Sequence, residues 1–294
     1  MARRRALLWL LWAASRPAQL LLVVGVYALG VKAADVLGAS VDSRTVLVGA
    51  GVLVPVAASV HYANEYADHE TDALTDRTPF SGGSGALAAT GLPRSTLLGA
   101  ALGALAVGTA LAGAAAAVGH LDGLALGLLA VIAAFGWQYS VGPLRLAWRG
   151  FGEVANAALG GLALPAYAAA AVDGPAGTVA LASVPFFLVV LLNLFATQWP
   201  DREADAAVGK RTLAVRWSPG RLRRVYTLVG VAAAGSVLAL HPDPLATPVA
   251  LGSLVAVPPL ALGWLGYTRR EVPWPTVAGM VALAAGQFAG WCLV

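Results

Sequence analysis

Acidic side chains at regular spacing are the residues of this sequence best suited to chemistry. Asp68 and Asp72 lie four residues apart with Asn64 four residues before them, and Asp201 and Asp205 repeat the same step. Residues four apart share one face of a helix, so each group presents several oxygen atoms on one side. Two carboxylates about 6 Å apart repel each other by roughly 3 kcal/mol at an effective dielectric constant near 20. Each group therefore needs a cation beside it.

The types of donor atom indicate which cation the acidic groups would bind. Carboxylates accompanied by an amide or a hydroxyl, with no His or Cys in the pattern, favour a hard ion, and Mg²⁺ is the first candidate. Mg²⁺ usually keeps water molecules and shares the phosphates of a substrate. Basic residues follow both acidic groups, namely Arg77, Lys210 and Arg211. Together these residues predict a clamp for a diphosphate whose remaining charge the basic side chains neutralise.

Membrane-spanning helices are predicted to carry these groups. Of the 294 residues, 59% are hydrophobic and 12% are charged, whereas soluble domains have about 45–50% apolar and about 25% charged residues. The single Cys292 excludes an internal disulfide and a Cys-based metal site. We predict an all-α polytopic membrane protein with nine spans, at about 17–38, 44–66, 95–118, 123–141, 154–172, 176–199, 222–240, 247–267 and 273–294.

Basic residues give the predicted orientation. With the N-terminus in the cytoplasm and nine crossings, 17 of the 19 Lys and Arg residues fall on the cytoplasmic side, and only Lys32 and Arg44 fall outside. The net charge of +4 is thereby assigned to topology and not to nucleic acid. The sequence predicts a protein of the cell (plasma) membrane with a cytoplasmic N-terminus and cytoplasmic site loops. Its opening segment is interpreted as a short interfacial helix, with a signal peptide as the alternative.

A constant offset of 133 positions relates the two acidic groups. It joins Asp68 with Asp201, Asp72 with Asp205 and Arg77 with Lys210. Such an offset is typical of an internal duplication. We predict one domain over 1–294, made of two parallel four-helix repeats at about 17–141 and 154–267 and a ninth helix at 273–294. Both acidic groups then end on the same side of the membrane and face each other. Gly99 and Gly103 predict a surface for close helix packing.

Three segments resemble the UbiA superfamily of intramembrane prenyltransferases. The stretch from Asn64 to Asp72 followed by Arg77-Thr-Pro-Phe, and Asp201-Arg-Glu-Ala-Asp205 followed by Gly209 to Arg216, look like its two aspartate-rich motifs. Tyr139 to Arg145, continued by Arg149 to Glu153, resembles the loop after the fourth span, especially in the menaquinone-type branch. The run Ser81-Gly-Gly-Ser-Gly85 is also similar to that branch. The resemblance covers the chain from about Arg16 onward.

This resemblance implies a helical bundle around a central cavity, Mg²⁺-dependent binding of a polyprenyl diphosphate, and prenyl transfer to an acceptor that is commonly aromatic. Carried over by position, the metal ligands would be Asn64, Asp68, Asp72, Asp201 and Asp205. Arg77 and Lys210 would bind the diphosphate, with Arg145 replacing a basic residue that the family often has where Pro143 stands. Tyr139 would lie near the allylic carbon. Thr197 and Gln198 stand where an Asn often precedes the second motif.

Other function classes fit the sequence less well. A cation-coupled secondary transporter also has repeats and intramembrane acids, but its acids tend toward the bilayer midplane and not toward one interface beside Arg and Lys. The CDP-alcohol phosphotransferases have an Asp-Gly-x-x-Ala-Arg opening that is absent here. A scaffold gives no reason for the 133-residue offset. For the acceptor, 1,4-dihydroxy-2-naphthoate is the first choice, with 4-hydroxybenzoate, homogentisate, a tetrapyrrole or a lipid alcohol as alternatives.

Overall fold

The computed structural model of the chain describes residues 3–75 and 82–294, which form helices joined by short loops. The first half contains α1 (Arg3–Ala14), α2 (Pro17–Val36), α3 (Ser43–Ala67), α4 (His69–Asp72), α5 (Ala86–Thr90), α6 (Ser95–Ala117) and α7 (Gly123–Ser140). The second half contains α8 (Gly152–Ala158), α9 (Leu164–Ala170), α10 (Ala176–Ala182), α11 (Val184–Gln198), α12 (Arg202–Ala207), α13 (Leu213–Arg216), α14 (Pro219–Ala239), α15 (Thr247–Ser253), α16 (Val257–Gly266) and α17 (Trp274–Trp291). No strand occurs in the two described ranges.

Six helical segments of the described chain are long and apolar enough to cross a membrane. They are α2, α3, α6, α7, α14 and the segment Thr247–Gly266, which joins α15 to α16. A seventh span results if α10 and α11, bent by 53° relative to each other, count as one. The predicted span 154–172 contains two helices, α8 and α9, which are separated by a π-helical turn at Leu159–Ala163. The predicted span 273–294 contains α17, which is less apolar than the six helical segments named above. The all-α polytopic class is therefore confirmed, while the nine-span arrangement and its central cavity stay predictions.

Two long helices end where the acidic residues stand. The Asp42 carboxylate caps the start of α3 by accepting hydrogen bonds from the backbone N–H groups of Arg44 at 2.8 Å and Thr45 at 3.2 Å. At the other end Asp68, with φ −89° and ψ 7°, separates α3 from the short helix α4. Asp201, with φ −82° and ψ −6°, stands in the same way directly before α12. Each acidic group therefore begins at a break in the helical path.

Close helix packing occurs at glycines other than the predicted pair. A Cβ built on Gly99 or Gly103 would meet nothing within 4 Å among residues 3–75 and 82–294, so the close packing predicted there is not found within the described chain. Gly30 of α2 lies against α9 instead, where a Cβ would come within 2.7 Å of both the Pro165 carbonyl oxygen and the Ala168 Cβ. The spacing of small residues indicates that close approach is sterically allowed, but not that a neighbour is present.

Replacing Gly30 by alanine tests this contact. Because one of the clashing atoms is backbone, α2 and α9 must separate, and we expect a loss of stability of about 1–3 kcal/mol. Gly25→Ala in the same helix is the matched control, since nothing lies within 4 Å of its added methyl group. Thermal unfolding in detergent, followed by tryptophan fluorescence, should show a lower Tm for the Gly30 variant only. Equal Tm values for both variants would contradict the packing described here.

Candidate functional site

The two acidic groups share one backbone arrangement. The Asp68 carbonyl oxygen accepts a hydrogen bond from the Asp72 N–H at 2.8 Å, and the Asp201 carbonyl oxygen accepts one from the Asp205 N–H at 2.8 Å. In both cases a single helical turn follows the break and carries the second aspartate. This agreement supports the offset between the motifs locally. The division of the whole chain into two repeats stays a prediction.

Lys210 joins the two groups. Its Nζ lies 3.2 Å from Asp68 Oδ1 and 3.4 Å from Asp205 Oδ1. The three side chains are largely buried, with 11%, 14% and 2% of the Lys210, Asp68 and Asp205 side chains exposed. Thr212 Oγ1 is 3.4 Å from the other carboxylate oxygen of Asp205. One acidic residue of each motif, Asp68 and Asp205, therefore lies beside the same ammonium group.

The charges around Lys210 change the protonation of its neighbours. Burial alone lowers the pKa of the Lys210 ammonium, but Asp68 and Asp205 outweigh it and hold that pKa above its ordinary value. Burial raises the pKa of Asp205 more than Lys210 lowers it. For Asp72, burial and then the carboxylates of Asp68 and Glu65 raise the pKa to about 7. The charged forms of Asp72 and Asp205 are thus incompletely stabilised at this site, and a bound cation would favour them.

Oxygen atoms without a hydrogen-bond partner accompany the carboxylates. Asn64 Oδ1 and Gln198 Oε1 are buried and accept no hydrogen bond within the described residues. Gln198 Nε2 lies 3.5 Å from the Tyr139 hydroxyl, at the outer limit of a hydrogen bond. The amide oxygens could thus serve as ligands, because leaving a buried acceptor unpaired is costly.

A magnesium ion fits this donor set on chemical grounds. In the parts of the chain described, no three His, Cys, Asp or Glu side chains are grouped closely enough to enclose a metal ion. Mg²⁺ does not require such a cage, since one or two carboxylates with water and substrate phosphates satisfy it. The available donors are oxygens of Asp68, Asp72, Asp205 and Asn64. The site therefore fits an ion that a phosphorylated ligand shares.

Among the four predicted diphosphate-binding residues, only Lys210 is seen between the carboxylates. Arg77 lies outside the described residues. The guanidinium carbon of Arg145 is 4.1 Å from the centre of the Trp148 ring in its own loop. Arg211 is exposed, and its backbone N–H donates to the Trp148 carbonyl oxygen at 3.2 Å. Within residues 3–75 and 82–294, no ion pair joins either arginine to the acidic groups.

Sequence reasoning missed an anchor formed by Glu65. This buried carboxylate accepts hydrogen bonds from Arg16 Nε at 2.8 Å, from the Ser84 N–H at 2.9 Å and from the Ser84 hydroxyl at 2.6 Å. Ser84 follows Gly83, whose φ of +63° and contact with the Asp72 carboxylate leave no room for a side chain. Glu65 thus fixes Gly83 and Ser84 beside Asp72. The only sequence signal was a basic residue directly before Pro17.

A second anchor holds the loop that carries Lys210. Glu153 is fully buried, and its Oε1 accepts a hydrogen bond from the Leu213 N–H at 2.6 Å. Arg216 Nη1 donates to the Arg149 carbonyl oxygen at 2.8 Å. The segments 145–153 and 209–216 are therefore docked together. Both segments carry part of the family resemblance, but the sequence does not predict the contact between them.

Removing the Glu65 carboxylate tests the first anchor. Glu65→Ala leaves the Arg16 guanidinium without its partner, and we expect a loss of about 3–5 kcal/mol, as for other broken buried ion pairs. The control Glu70→Ala removes an acid that is 73% exposed and 3.7 Å from Arg94, so its effect should stay below about 1 kcal/mol. Thermal unfolding of both variants in detergent distinguishes them. A Glu65 variant as stable as the control would show that the anchor is unimportant.

Comparison with known proteins gives the family of this chain. The sequence model of the UbiA prenyltransferase family matches residues 21–272, whereas no curated protein matches the sequence. A solved structure of digeranylgeranylglyceryl phosphate synthase is 12% identical, with a TM-score of 0.70 and 100% of both chains covered. A UbiA homologue from Archaeoglobus fulgidus bound to DMAPP and Mg²⁺ is 16% identical, with a TM-score of 0.70 over 97% of this chain and 99% of that one. A homologue from Aeropyrum pernix K1 is 18% identical, with a TM-score of 0.63 over 90% and 96%.

Proposed function

This chain belongs to the UbiA prenyltransferase family of enzymes, and from that premise we propose that it transfers a prenyl group from a prenyl diphosphate to an acceptor, with Mg²⁺ as cofactor. The observation that carries the proposal is the Lys210 ammonium between Asp68 of one motif and Asp205 of the other. Homologues from Archaeoglobus fulgidus bind DMAPP or GPP together with Mg²⁺. An acidic site with a fixed central cation is suited to the same class of ligand.

We assign the metal ligands and the diphosphate ligands to different residues. The carboxylates of Asp68, Asp72, Asp201 and Asp205, with the Asn64 amide oxygen, would hold the metal. Lys210, with Arg77, Arg211 and Arg145, would bind the phosphate oxygens. When bound, Mg²⁺ would supply Lewis-acid stabilisation of the charge on the leaving diphosphate. Because the pKa of Lys210 is raised, its ammonium stays charged and stabilises the same negative charge in the transition state.

The prenyl carbon would react in a site shielded from water. Cleavage of the carbon–oxygen bond leaves the electron pair on the diphosphate and positive charge on the allylic carbon. Tyr139, whose hydroxyl lies 3.5 Å from Gln198 Nε2, offers a ring face and an oxygen dipole to that cation. Exclusion of water prevents its hydrolysis. The electron-rich acceptor then forms the new bond, and its displaced proton passes to a base.

The acceptor proposed first is 1,4-dihydroxy-2-naphthoate, in menaquinone biosynthesis. It is supported by the resemblance of the segments 139–145 and 149–153 to the menaquinone-type branch. A lipid alcohol is the second candidate, because digeranylgeranylglyceryl phosphate synthase is among the structures with a similar fold. The predicted topology places 17 of the 19 basic residues on the cytoplasmic side. This distribution supports a plasma-membrane enzyme whose site faces the cytoplasm.

Substitution of one aspartate in each motif tests the clamp. We expect Asp68→Ala and Asp201→Ala each to lower prenyl transfer by at least about 10²–10³-fold, the size of effect seen when one charge-stabilising group is lost. The assay follows radiolabelled geranylgeranyl diphosphate in membranes containing Mg²⁺. Glu70→Ala and Glu203→Ala are the controls, since both acids are exposed neighbours in the same motifs. Near-normal turnover by folded Asp68 and Asp201 variants would remove the clamp.

A panel of acceptors tests the substrate. Membranes are incubated with geranylgeranyl diphosphate, Mg²⁺ and each candidate acceptor, and products are identified by mass. We expect prenylated 1,4-dihydroxy-2-naphthoate, and no product after chelation with EDTA until Mg²⁺ is restored. A product formed only with a glycerol-based lipid alcohol would replace the aromatic acceptor but keep the prenyl transfer. Persistent turnover in EDTA would contradict the metal dependence.

A further inference from the structure

A groove of about 420 Å³ opens on the outer surface of the molecule, between α14 and α16. Arg223, Arg224 and Arg269 line it, together with Leu228 and Leu265. None of these residues belongs to the carboxylate site around Lys210. The groove therefore combines a strongly basic part with apolar walls, and the prenyl-transfer chemistry does not account for it.

The three arginines have no acidic counterpart. No ion pair to any of them occurs in the described part of the chain, whereas Arg202 pairs with both Glu203 and Glu271. Arg223 and Arg224 lie in the second turn of α14, whose first turn contains no acid, and Arg269 lies just after α16. An anion in the groove would supply a counter-charge to all three guanidinium groups.

The apolar part extends from the arginines along the two helices. Leu228 is 68% exposed and Leu265 is 53% exposed, and both belong to helical segments that are apolar enough to cross a membrane. The Trp264 N–H donates to Thr227 Oγ1 at 2.8 Å, so its polar atom is satisfied within the protein and its ring forms part of the wall. Tryptophan favours the membrane–water interface. An acyl chain placed along these walls would have its head group at that interface.

We propose that this groove binds one anionic phospholipid. Its phosphate is held by Arg223, Arg224 and Arg269, and one acyl chain lies along Leu228, Leu265 and the Trp264 ring. Arginine forms paired, charge-assisted hydrogen bonds with phosphate oxygens, which suits the planar guanidinium groups. The order of basic and apolar residues in the groove matches the order of head group and tail. The bound lipid would hold α14 against α16, outside the reaction site.

The wild-type protein provides the first test. Purified protein is mixed with equal amounts of phosphatidylglycerol and phosphatidylcholine of the same acyl chains, and retained lipid is counted by native mass spectrometry. We expect one phosphatidylglycerol to be retained in preference by about tenfold or more, given three arginines near one phosphate. Equal retention of the two lipids would overturn the proposal. Inorganic phosphate should not raise the Tm as phosphatidylglycerol does, and an equal rise would indicate a site for a free anion instead.

Charge removal provides the second test. The triple variant Arg223→Gln, Arg224→Gln, Arg269→Gln should lose the preference for phosphatidylglycerol. The matched control Arg3→Gln, Arg4→Gln, Arg5→Gln removes the same charge from the exposed start of α1 and should keep it. Retention of the lipid by the folded groove variant, or its equal loss from both variants, would overturn the assignment. If the groove variant does not fold, the comparison of lipids on the wild type decides alone. Neither test depends on prenyl transfer.

Discussion

Compensation of buried carboxylates by one ammonium group is the interaction on which the site depends. Asp68 and Asp205 come from different halves of the sequence, and each lies within 3.4 Å of Lys210 Nζ. Without that cation, two carboxylates about 6 Å apart would repel each other by roughly 3 kcal/mol at an effective dielectric constant near 20. Helix breaks at Asp68 and Asp201 precede the short helices α4 and α12, which carry Asp72 and Asp205.

Two buried glutamates support the loops on either side of this ammonium. Glu65 holds the segment around Ser84 against Asp72, and Glu153 holds the backbone at Leu213, three residues after Lys210. Both glutamates accept hydrogen bonds from backbone N–H groups, so they hold the loop backbone whatever side chains the loop carries. The position of Lys210 is thus set by contacts on two sides, and a site whose charges are held in place needs less reorganisation during a reaction.

Local patterns predicted the site better than they predicted the packing around it. The four-residue spacing and the offset of 133 predicted that the two acidic groups face each other, and the contacts of Asp68 and Asp205 with Lys210 agree with this. The sequence alone does not predict which residues contact each other across the fold. The Arg16–Glu65 contact joins residues 49 positions apart, and the Gly99 pattern failed because nothing in the described residues lies within 4 Å of a Cβ built there. The π-helical turn before α9 has no comparable periodic signal.

The surroundings of Glu65 and Asp72 distinguish an acid that supports the structure from one available to a ligand. Glu65 is saturated, since Arg16 and two groups of Ser84 occupy its oxygens. Asp72, only seven residues later, has its pKa raised to about 7 by burial and then by the carboxylates of Asp68 and Glu65, and the same motif contains the buried Asn64 Oδ1, which has no hydrogen-bond partner in the described residues. A site built for stability alone would have filled these positions with a second arginine or with apolar side chains. Unsatisfied oxygens beside incompletely stabilised carboxylates are better explained by a cation that arrives with its substrate.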